Sequence, residues 1–432
     1  MMGAVASIRA QWRNLGTIAA FAFAFIAVFA MASLIVRLAG VAVYAEYALY
    51  LTFGVAIRII WHGIIGTVFA RGFSIATAQG LGAHHLAYFG IGLFAPFAGL
   101  ATIALTPVLL DAQIGFGEIT LSPFGLFAGL MLGATISAAG AVVELANVMG
   151  RRSQAICAML SPSVAQLMAL ASLKEIGLLT APNLAALAAG LGFISLVAQF
   201  IFLRRAQGVA EAKPEGAGRL KSFLTEHSKT MLFWVPPSLM MRALDKWYAA
   251  DHLSVEGFAA MAVLILMTQG AMQAGMSILS RVVLPKVYDL AADGQSPNRL
   301  RAAHQITRRF GYLILVAGGI WAVILAQWGS WLLARLFTDE IANHHLALIP
   351  FAIGATLMTY AGFQITHGHI AQNIKPFTKQ RYGEAIAYAV GLVLFVPVYG
   401  VIGVGFAMGI SGIISCILSF CARLEIFNST LS

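Results

Sequence analysis

Two arginines stand inside stretches that are otherwise apolar enough to cross a lipid bilayer. Arg58 lies thirteen residues before Arg71, and Arg242 lies eleven residues after Met231; at ~1.5 Å per helical residue these offsets are ~20 Å and ~16 Å. Both depths are near the middle of a hydrocarbon layer ~30 Å thick, where an ionised side chain costs roughly 2.5 to 3.5 kcal/mol. A guanidinium group offers a planar fork of N–H donors that suits phosphate oxygens. The pattern predicts a central cationic site for phosphate; the alternative is a structural pair with a neighbouring helix, such as Arg242 with Asp245.

The second arginine belongs to the segment 231–252, MLFWVPPSLMMRALDKWYAADH. Spacings of three and four residues put Arg242, Asp245 and Lys246 on one helical face. A Pro-Pro pair one turn earlier frees backbone carbonyls and favours a bend. We therefore predict a kinked membrane helix that presents a polar, net-positive stripe to the interior of a bundle. Asp245 and Lys246 have a second interpretation, as anchors at the membrane interface beside Trp247.

Other polar residues have both a functional and a structural interpretation. Arg37 flanks the first outer turn, either as a substrate contact or as a charge that lines the loop. Glu144 is a candidate proton or cation site for ion coupling, or a partner of the arginines that follow its span. Gln269 and Gln273 share a helical face that suits hydrogen bonds to sugar hydroxyls or polar contacts between helices.

The composition is that of a membrane protein with many spans. Of the 432 residues, 60% are hydrophobic and 10% are charged, whereas soluble domains carry about 25% charged residues. Apolar windows of about 20 residues predict twelve spans, each far too long for a barrel strand, so the predicted class is all-α and polytopic. The spans are 16–36, 44–70, 86–110, 119–147, 154–173, 181–203, 230–250, 257–280, 310–336, 344–367, 380–398 and 400–421.

The positions of the basic residues predict the orientation of the chain. With the amino terminus in the cytoplasm, all but six of the 27 Lys and Arg residues fall on the inner side. This is the distribution of a protein with an even number of spans and both termini inside. The net charge of +10 thus follows from orientation, and it does not imply binding to nucleic acid.

Two hydrophilic segments divide the spans. Segment 204–229 is rich in Gly, Pro and charge and is predicted to be a cytoplasmic linker between a six-helix lobe, 1–203, and a second six-helix lobe, 230–432. Such an arrangement is typical of two repeated bundles with a substrate path between them. A second basic segment, 281–309, is predicted to be another cytoplasmic loop.

The sequence lacks the motifs of an enzyme or a metal site. There is no G-x-x-x-x-G-K-[ST] phosphate loop, no Ser-His-Asp set and no paired-carboxylate arrangement. The histidine pairs at 84–85, 344–345 and 367–369 lack companion Cys or Asp at ligand spacing. We expect neither catalysis nor a cofactor.

Two helix hairpins resemble a known family. The stretch ALDKWYAADHLSVEGFAAMAVLI, with Asp245 and Gly257 in the expected places, resembles the opening hairpin of the second half of lipid-linked oligosaccharide flippases. These form the polysaccharide-transporter branch of the MATE-like (MOP) superfamily. VRLAGVAVYAEYALYLTFG is similar to the corresponding stretch of the first half, with matching positions at Leu38, Gly40, Tyr44 and Tyr47.

The resemblance implies a bilobed twelve-helix fold in the bacterial cytoplasmic membrane. It implies an undecaprenyl-pyrophosphate-linked glycan, an O-antigen or exopolysaccharide repeat unit, carried from the inner to the outer leaflet. Family members use a cationic central cavity, which agrees with Arg58 and Arg242 and would include Lys246. A polysaccharide polymerase and export machinery are the expected partners. The spans after residue 309 carry few charges, so the coupling proton or cation is not assigned.

Two other functions fit parts of the pattern. A drug or cation antiporter on the same fold would use acidic membrane residues, for which Glu144 and Asp245 are the candidates. A membrane glycan polymerase or ligase would need a large outer loop with catalytic groups, and no predicted outer loop exceeds about a dozen residues.

Overall fold

The computed structural model describes residues 2–78, 81–110, 113–205, 225, 228, 232–291, 297–371 and 373–431. Ten helices in these ranges are long and apolar enough to cross a membrane. The protein is therefore all-α and multi-pass, as the sequence predicts.

Sixteen α-helices are named here in chain order. Helices α1 to α7 are Met2–Ala39, Val41–Ile57, Gly63–Ala78, Gly82–Leu110, Pro123–Val148, Arg152–Glu175 and Ala181–Arg205. Helices α8 to α12 are Val235–Leu239, Asp245–His252, Val255–Ile265, Ala271–Ala291 and Pro297–Leu336. Helices α13 to α16 are Asp339–Ala342, Leu348–Ile370, Pro376–Tyr399 and Val401–Leu431. Three single π-helical turns join α2 to α3, α8 to α9 and α10 to α11; they are Arg58–His62, Met240–Leu244 and Leu266–Gly270.

Ten of the twelve predicted spans overlap the ten helices that are long and apolar enough to cross a membrane, although residues 119–121 of the span 119–147 form a β-strand. The other two, 86–110 and 230–250, overlap α4 and the broken helix α8–α9, which are not among those ten. Most of the predicted linker 204–229 lies outside the described residues, as does Met231. Nothing in the structure tests the linker prediction.

The predicted loop 281–309 is wrong over most of its length. Helix α11 runs to Ala291, and α12 begins at Pro297 and continues for 40 residues. A hydropathy window ends where charged residues begin, but backbone hydrogen bonds continue a helix past the apolar layer. The basic residues at both ends of this segment therefore lie on helices α11 and α12.

The chain forms two compact units. The amino-terminal unit is Ala30–Asp251, and the carboxy-terminal unit combines Met1–Phe29 with His252–Ser432. The division falls within α1, whose Phe29 ring packs edge-on against Phe337, with 5.4 Å between ring centroids. The lobe limits predicted at residues 203 and 230 stay a prediction.

Helix α5 lies at the centre of the amino-terminal unit, where it packs against α2, α3, α4, α6 and α7. Its small residues allow neighbouring backbones to approach closely. At the crossing with α2, a Cβ on Gly54 would lie 2.8 Å from Gly133 Cα. The glycines at this crossing therefore set the spacing of the two helices.

A short β-hairpin precedes α5. Strands Ile114–Phe116 and Ile119–Leu121 pair in antiparallel fashion around Gly117, which has φ +55°. The Gly117 N–H donates to Asp251 Oδ1 at 3.0 Å, and a Cβ on Gly117 would lie 2.8 Å from the Ala250 carbonyl oxygen. The hairpin thus fixes the end of α9 within the amino-terminal unit.

Polar side chains lie inside the carboxy-terminal unit, in spans that the sequence shows to be poor in charge. His304 Nδ1 and His367 Nδ1 are 2.7 Å apart, and the two rings stack beside Phe427. The buried Glu384 carboxylate lies 3.3 Å from Arg381 Nη1. The histidine pair with Phe427 joins α12, α14 and α16, and the Arg381–Glu384 pair lies within α15.

Candidate functional site

Arg58 opens the first π turn, which interrupts the continuous helix α2–α3. The turn ends at His62, a fully buried residue whose Nε2 lies 3.1 Å from the Leu93 carbonyl oxygen. Because a carbonyl can only accept, Nε2 carries the proton, and Nδ1 lies 2.5 Å from Ser137 Oγ. His62 therefore fastens the turn that carries Arg58 to α4 and α5.

The guanidinium of Arg58 faces the carboxylate of Glu144 on α5. Arg58 Nη2 lies 3.9 Å from Glu144 Oε1, and the two side chains are 59% and 34% exposed. The distance allows charge attraction but exceeds that of a direct hydrogen bond. The same carboxylate accepts a hydrogen bond from Thr67 Oγ1 at 3.1 Å.

Two glycines leave room for this ion pair. A Cβ on Gly66 would lie 2.8 Å from Glu144 Oε2, and a Cβ on Gly140 would lie 3.6 Å from Arg58 Cζ. The carboxylate therefore lies directly against the backbone of α3, and the guanidinium lies along α5.

Arg242 lies at an exposed position of the second π turn. This turn packs against α2, and α8 packs against the turn Arg58–His62. Further along, the Trp247 Nε1–H donates to Thr52 Oγ1 at 2.6 Å. The later residue Trp247 thus contacts the earlier residue Thr52, while α8 contacts the later turn Arg58–His62, so the two helices run antiparallel. Arg58 and Arg242 therefore lie at about the same level.

Asp245 and Lys246 form an ion pair beside Arg242. Lys246 Nζ lies 3.0 Å from Asp245 Oδ2 and donates to the Arg242 carbonyl oxygen at 3.1 Å. Asp245 is 3% exposed, so its carboxylate is removed from water and needs this cation. The two residues are part of the packed unit next to α2.

The Pro-Pro pair does not lie inside a long helix. Pro236 and Pro237 occupy the first turn of α8, where a missing N–H breaks no helical hydrogen bond. The irregularity of this segment is the π turn that follows. A π turn shifts the register of the residues after it, and such turns are frequent at functional sites.

The remaining predicted site residues lie elsewhere. Arg37 is exposed near the end of α1, in the amino-terminal unit. Gln269 lies in the third π turn and Gln273 is exposed on α11, both in the carboxy-terminal unit. Their predicted contacts with sugar hydroxyls stay a prediction.

The amino-terminal unit thus carries two ion pairs on neighbouring helices, Arg58 with Glu144 and Lys246 with Asp245, and Arg242 lies beside the second pair. We call these five residues the arginine cluster. Three cations stand against two carboxylates, which leaves a net charge of +1. Such a cluster, with exposed guanidinium groups, is suited to binding an anion. Within the described part of the chain, no group of three or more His, Cys, Asp or Glu residues is arranged to hold a metal ion.

Sequence patterns alone do not reveal the side chains that hold this cluster. Thr67 and Thr52 are isolated polar residues in apolar helices, where a hydroxyl usually bonds to its own backbone. A weak signal was available for the β-hairpin, because Gly117 and Glu118 stand between alternating apolar residues, a typical two-residue turn.

Comparisons with known proteins agree on the fold. No protein-family model matches the sequence. No curated protein matches it either. The structure is similar to the lipid II flippase MurJ in an inward closed conformation, with a TM-score of 0.66, 13% identity and coverage of 95% of this chain and 90% of that one.

The structure is similar to multidrug transporters to about the same degree as to this flippase. An inward-facing multidrug resistance MATE family transporter of the MOP superfamily gives a TM-score of 0.66 at 11% identity, covering 95% of this chain and 96% of that one. A variant of the Vibrio cholerae MATE transporter VcmN gives 0.64 at 14% identity, covering 96% and 97%. The chain therefore has the fold that this flippase and these transporters share.

Proposed function

We propose that the protein is a flippase that moves an undecaprenyl-pyrophosphate-linked oligosaccharide, an O-antigen or exopolysaccharide repeat unit, across the bacterial cytoplasmic membrane. The observation that supports it is the arginine cluster, where two exposed arginines lie at about one level on neighbouring helices. Arg58 lies in a helix that is apolar enough to cross a membrane, and Arg242 lies in the predicted span 230–250. Charged groups in such places usually mark a substrate path. The fold shared with a lipid II flippase agrees with a lipid-linked passenger.

The pyrophosphate binds to Arg58 and Arg242, each of which offers paired N–H donors to phosphate oxygens. Lys246 adds charge, and its Nζ is held near the Arg242 backbone. The glycan contacts polar groups such as Gln269, Gln273 and Arg37, and the polyprenyl tail stays in lipid. Transport proceeds by alternating access, in which binding stabilises states open to one leaflet or the other.

Both termini face the cytoplasm in this proposal, because that orientation places most Lys and Arg residues inside. Glu144 is the group that links transport to a proton. The product is a glycan on the outer leaflet, where a polysaccharide polymerase and export machinery would use it.

A drug or cation antiporter is the second candidate, because MATE transporters share the fold to the same degree. An antiporter of cations needs carboxylates that are available to its substrate. Here Glu144 lies within ion-pair distance of Arg58, and Asp245 lies within that distance of Lys246. These pairs and the net positive charge favour an anionic passenger.

Deletion of the gene distinguishes these functions. The proposal predicts that complete repeat units accumulate on the inner leaflet, measured by extraction of lipid-linked glycans and by their resistance to impermeant enzymes in intact cells. Surface-exposed but unpolymerised units would point to a polymerase or ligase. Altered sensitivity to toxic cations with normal glycan lipids would point to an antiporter and contradict the proposal.

A further inference from the structure

A proline within α4 leaves one backbone carbonyl without its helical donor. Pro96 has no N–H, so the α-helix offers no hydrogen bond to the carbonyl oxygen of Gly92, four residues earlier. In the predicted span 86–110 there is no water to replace that bond, and a neighbouring helix usually supplies the donor. Helix α4 therefore needs a donor from another element at this level.

The first π turn supplies that donor. The indole N–H of Trp61 donates to the Gly92 carbonyl oxygen at 2.7 Å. The next residue, His62, contacts the next carbonyl, with its Nε2 3.1 Å from the oxygen of Leu93. Two consecutive side chains of the π turn thus bind two consecutive carbonyls of α4, three and four residues before Pro96.

Trp61 and Gly92 satisfy each other's only need for a partner. An indole N–H can donate but not accept, and a backbone carbonyl can accept but not donate. Trp61 is 41% exposed, and lipid tails offer neither a donor nor an acceptor. A Cβ on Gly92 would lie 3.1 Å from Ile65 Cδ1 on α3, so α4 lies close against the chain on both sides of the turn's end.

The register of this π turn sets the position of Arg58 relative to α3. A π turn takes up one extra residue, and each residue of an α-helix adds about 100° of rotation. The Glu144 carboxylate has contacts on both sides of the turn. Arg58 Nη2 lies 3.9 Å from Oε1, and Thr67 Oγ1 on α3 donates to Oε2 at 3.1 Å. Conversion of the turn to α-helix would therefore rotate Arg58 away from the carboxylate that α3 holds.

We propose that Trp61 is a positioning residue for Arg58. Its hydrogen bond to the carbonyl that Pro96 leaves open holds the π turn in register, and so holds the guanidinium where a pyrophosphate binds. This inference rests on the proposed function, because it takes Arg58 as a phosphate-binding group. Trp61 acts through the turn and does not itself contact the ligand.

The first experiment tests whether Trp61 and Pro96 act as partners. Unfolding temperatures in detergent are followed by circular dichroism for Trp61→Phe, Pro96→Ala and the double variant. Trp61→Phe leaves the Gly92 carbonyl without a donor and should lower the unfolding temperature by about 1 to 3 °C. In the Pro96→Ala background, the new N–H at residue 96 bonds to the same carbonyl. The same tryptophan substitution should then lower the temperature by about half as much or less.

The second experiment tests whether Trp61 acts through Arg58. The probe is farnesyl pyrophosphate, which carries no sugar, and its Kd is measured by isothermal titration calorimetry. The full-length protein is in phosphatidylcholine nanodiscs, and empty nanodiscs are the blank. Trp61→Phe should raise the Kd about three- to tenfold, the loss expected when one hydrogen bond that orders the site is removed. In the Arg58→Gln background, Trp61→Phe should have no further effect on the Kd.

Trp321→Phe is the matched control. The Trp321 Nε1–H also donates to a helix carbonyl, that of Met267 at 3.0 Å, within the carboxy-terminal unit. The control substitution thus removes the same kind of hydrogen bond away from Arg58. It should leave the Kd unchanged, which separates a loss of position from a general loss of stability.

The outcomes distinguish this inference from the proposed function. An unchanged Kd in Trp61→Phe, or an equal rise in the Arg58→Gln background or in Trp321→Phe, would overturn the role of Trp61 and leave the flippase proposal intact. Equal losses of unfolding temperature with and without Pro96 would overturn the pairing. If the wild type does not bind the pyrophosphate, or Arg58→Gln binds it as tightly as the wild type, the proposed phosphate site itself fails.

Discussion

His62 shows how one buried side chain positions a functional one. Its ring has a hydrogen-bond partner at each nitrogen, on α4 and on α5, and it ends the turn that begins with Arg58. A buried polar group with satisfied partners stabilises a unique arrangement, and loss of the group leaves those partners without it. Sequence alone does not reveal this role, because a single histidine in an apolar span carries no periodic signal.

Replacement of His62 tests that role. His62→Ala removes both hydrogen bonds and leaves a cavity, so it should lower the free energy of unfolding by about 2 to 4 kcal/mol. The unfolding temperature in detergent, followed by intrinsic fluorescence, measures the change. His84→Ala, at an exposed position of α4, is the control and should change little. Equal unfolding temperatures for the wild type and His62→Ala would contradict the assigned contacts.

The sequence identifies Arg58, Arg242, Asp245 and Lys246 as candidate residues because ionised groups are costly in lipid. The partners of these residues are less predictable. The ion pair of Arg58 with Glu144 joins residues far apart in the chain, and only the packing of α2 and α3 on α5 brings them together. The sequence suggested the arginines that follow its own span as partners of Glu144, and it gave no indication of Arg58.

At the level of helices, hydropathy locates the spans well and their ends poorly. Helix α12 extends well before the apolar window that starts at residue 310, because backbone hydrogen bonds do not depend on hydropathy. The π turns leave no hydropathy signal either, since each changes the register by a single residue. The turns Arg58–His62 and Met240–Leu244 nevertheless contain the two arginines, and Leu266–Gly270 contains Gln269.

The crossing of α2 and α5 provides a test of helix packing. A Cβ on Gly54 would be 2.8 Å from Gly133 Cα, and the reverse substitution meets α2 backbone. Gly133→Ala should therefore force the helices apart and lower the free energy of unfolding by about 1 to 3 kcal/mol. Unfolding temperature in detergent measures it.

Gly190→Ala is the matched control for this crossing. Gly190 lies within α7, and nothing lies within 4 Å of a Cβ placed there. An added methyl group in an open helix interior should be neutral or slightly stabilising. Identical behaviour of the two variants would show that the crossing does not set helix spacing.

For the molecule as a whole, composition and charge distribution are enough to predict a multi-pass, all-α membrane protein. The grouping of helices into compact units is not predictable in that way. Helix α9 packs in the amino-terminal unit through Trp247 with Thr52 and Asp251 with Gly117. Such contacts depend on side chains distant in sequence, which no local pattern specifies.

We propose that the arginine cluster binds a pyrophosphate-linked lipid while it crosses the membrane. Proteoliposomes containing a fluorescent pyrophosphate-linked glycolipid test it directly, because a membrane-impermeant quencher measures the label that reaches the outer leaflet. We expect the wild type and the control Lys174→Gln, an exposed residue at the end of α6, to accelerate flipping. The Arg58→Gln, Arg242→Gln double variant should reduce the rate to that of protein-free vesicles. Flipping by this double variant at the wild-type rate would show that the two arginines do not carry the lipid.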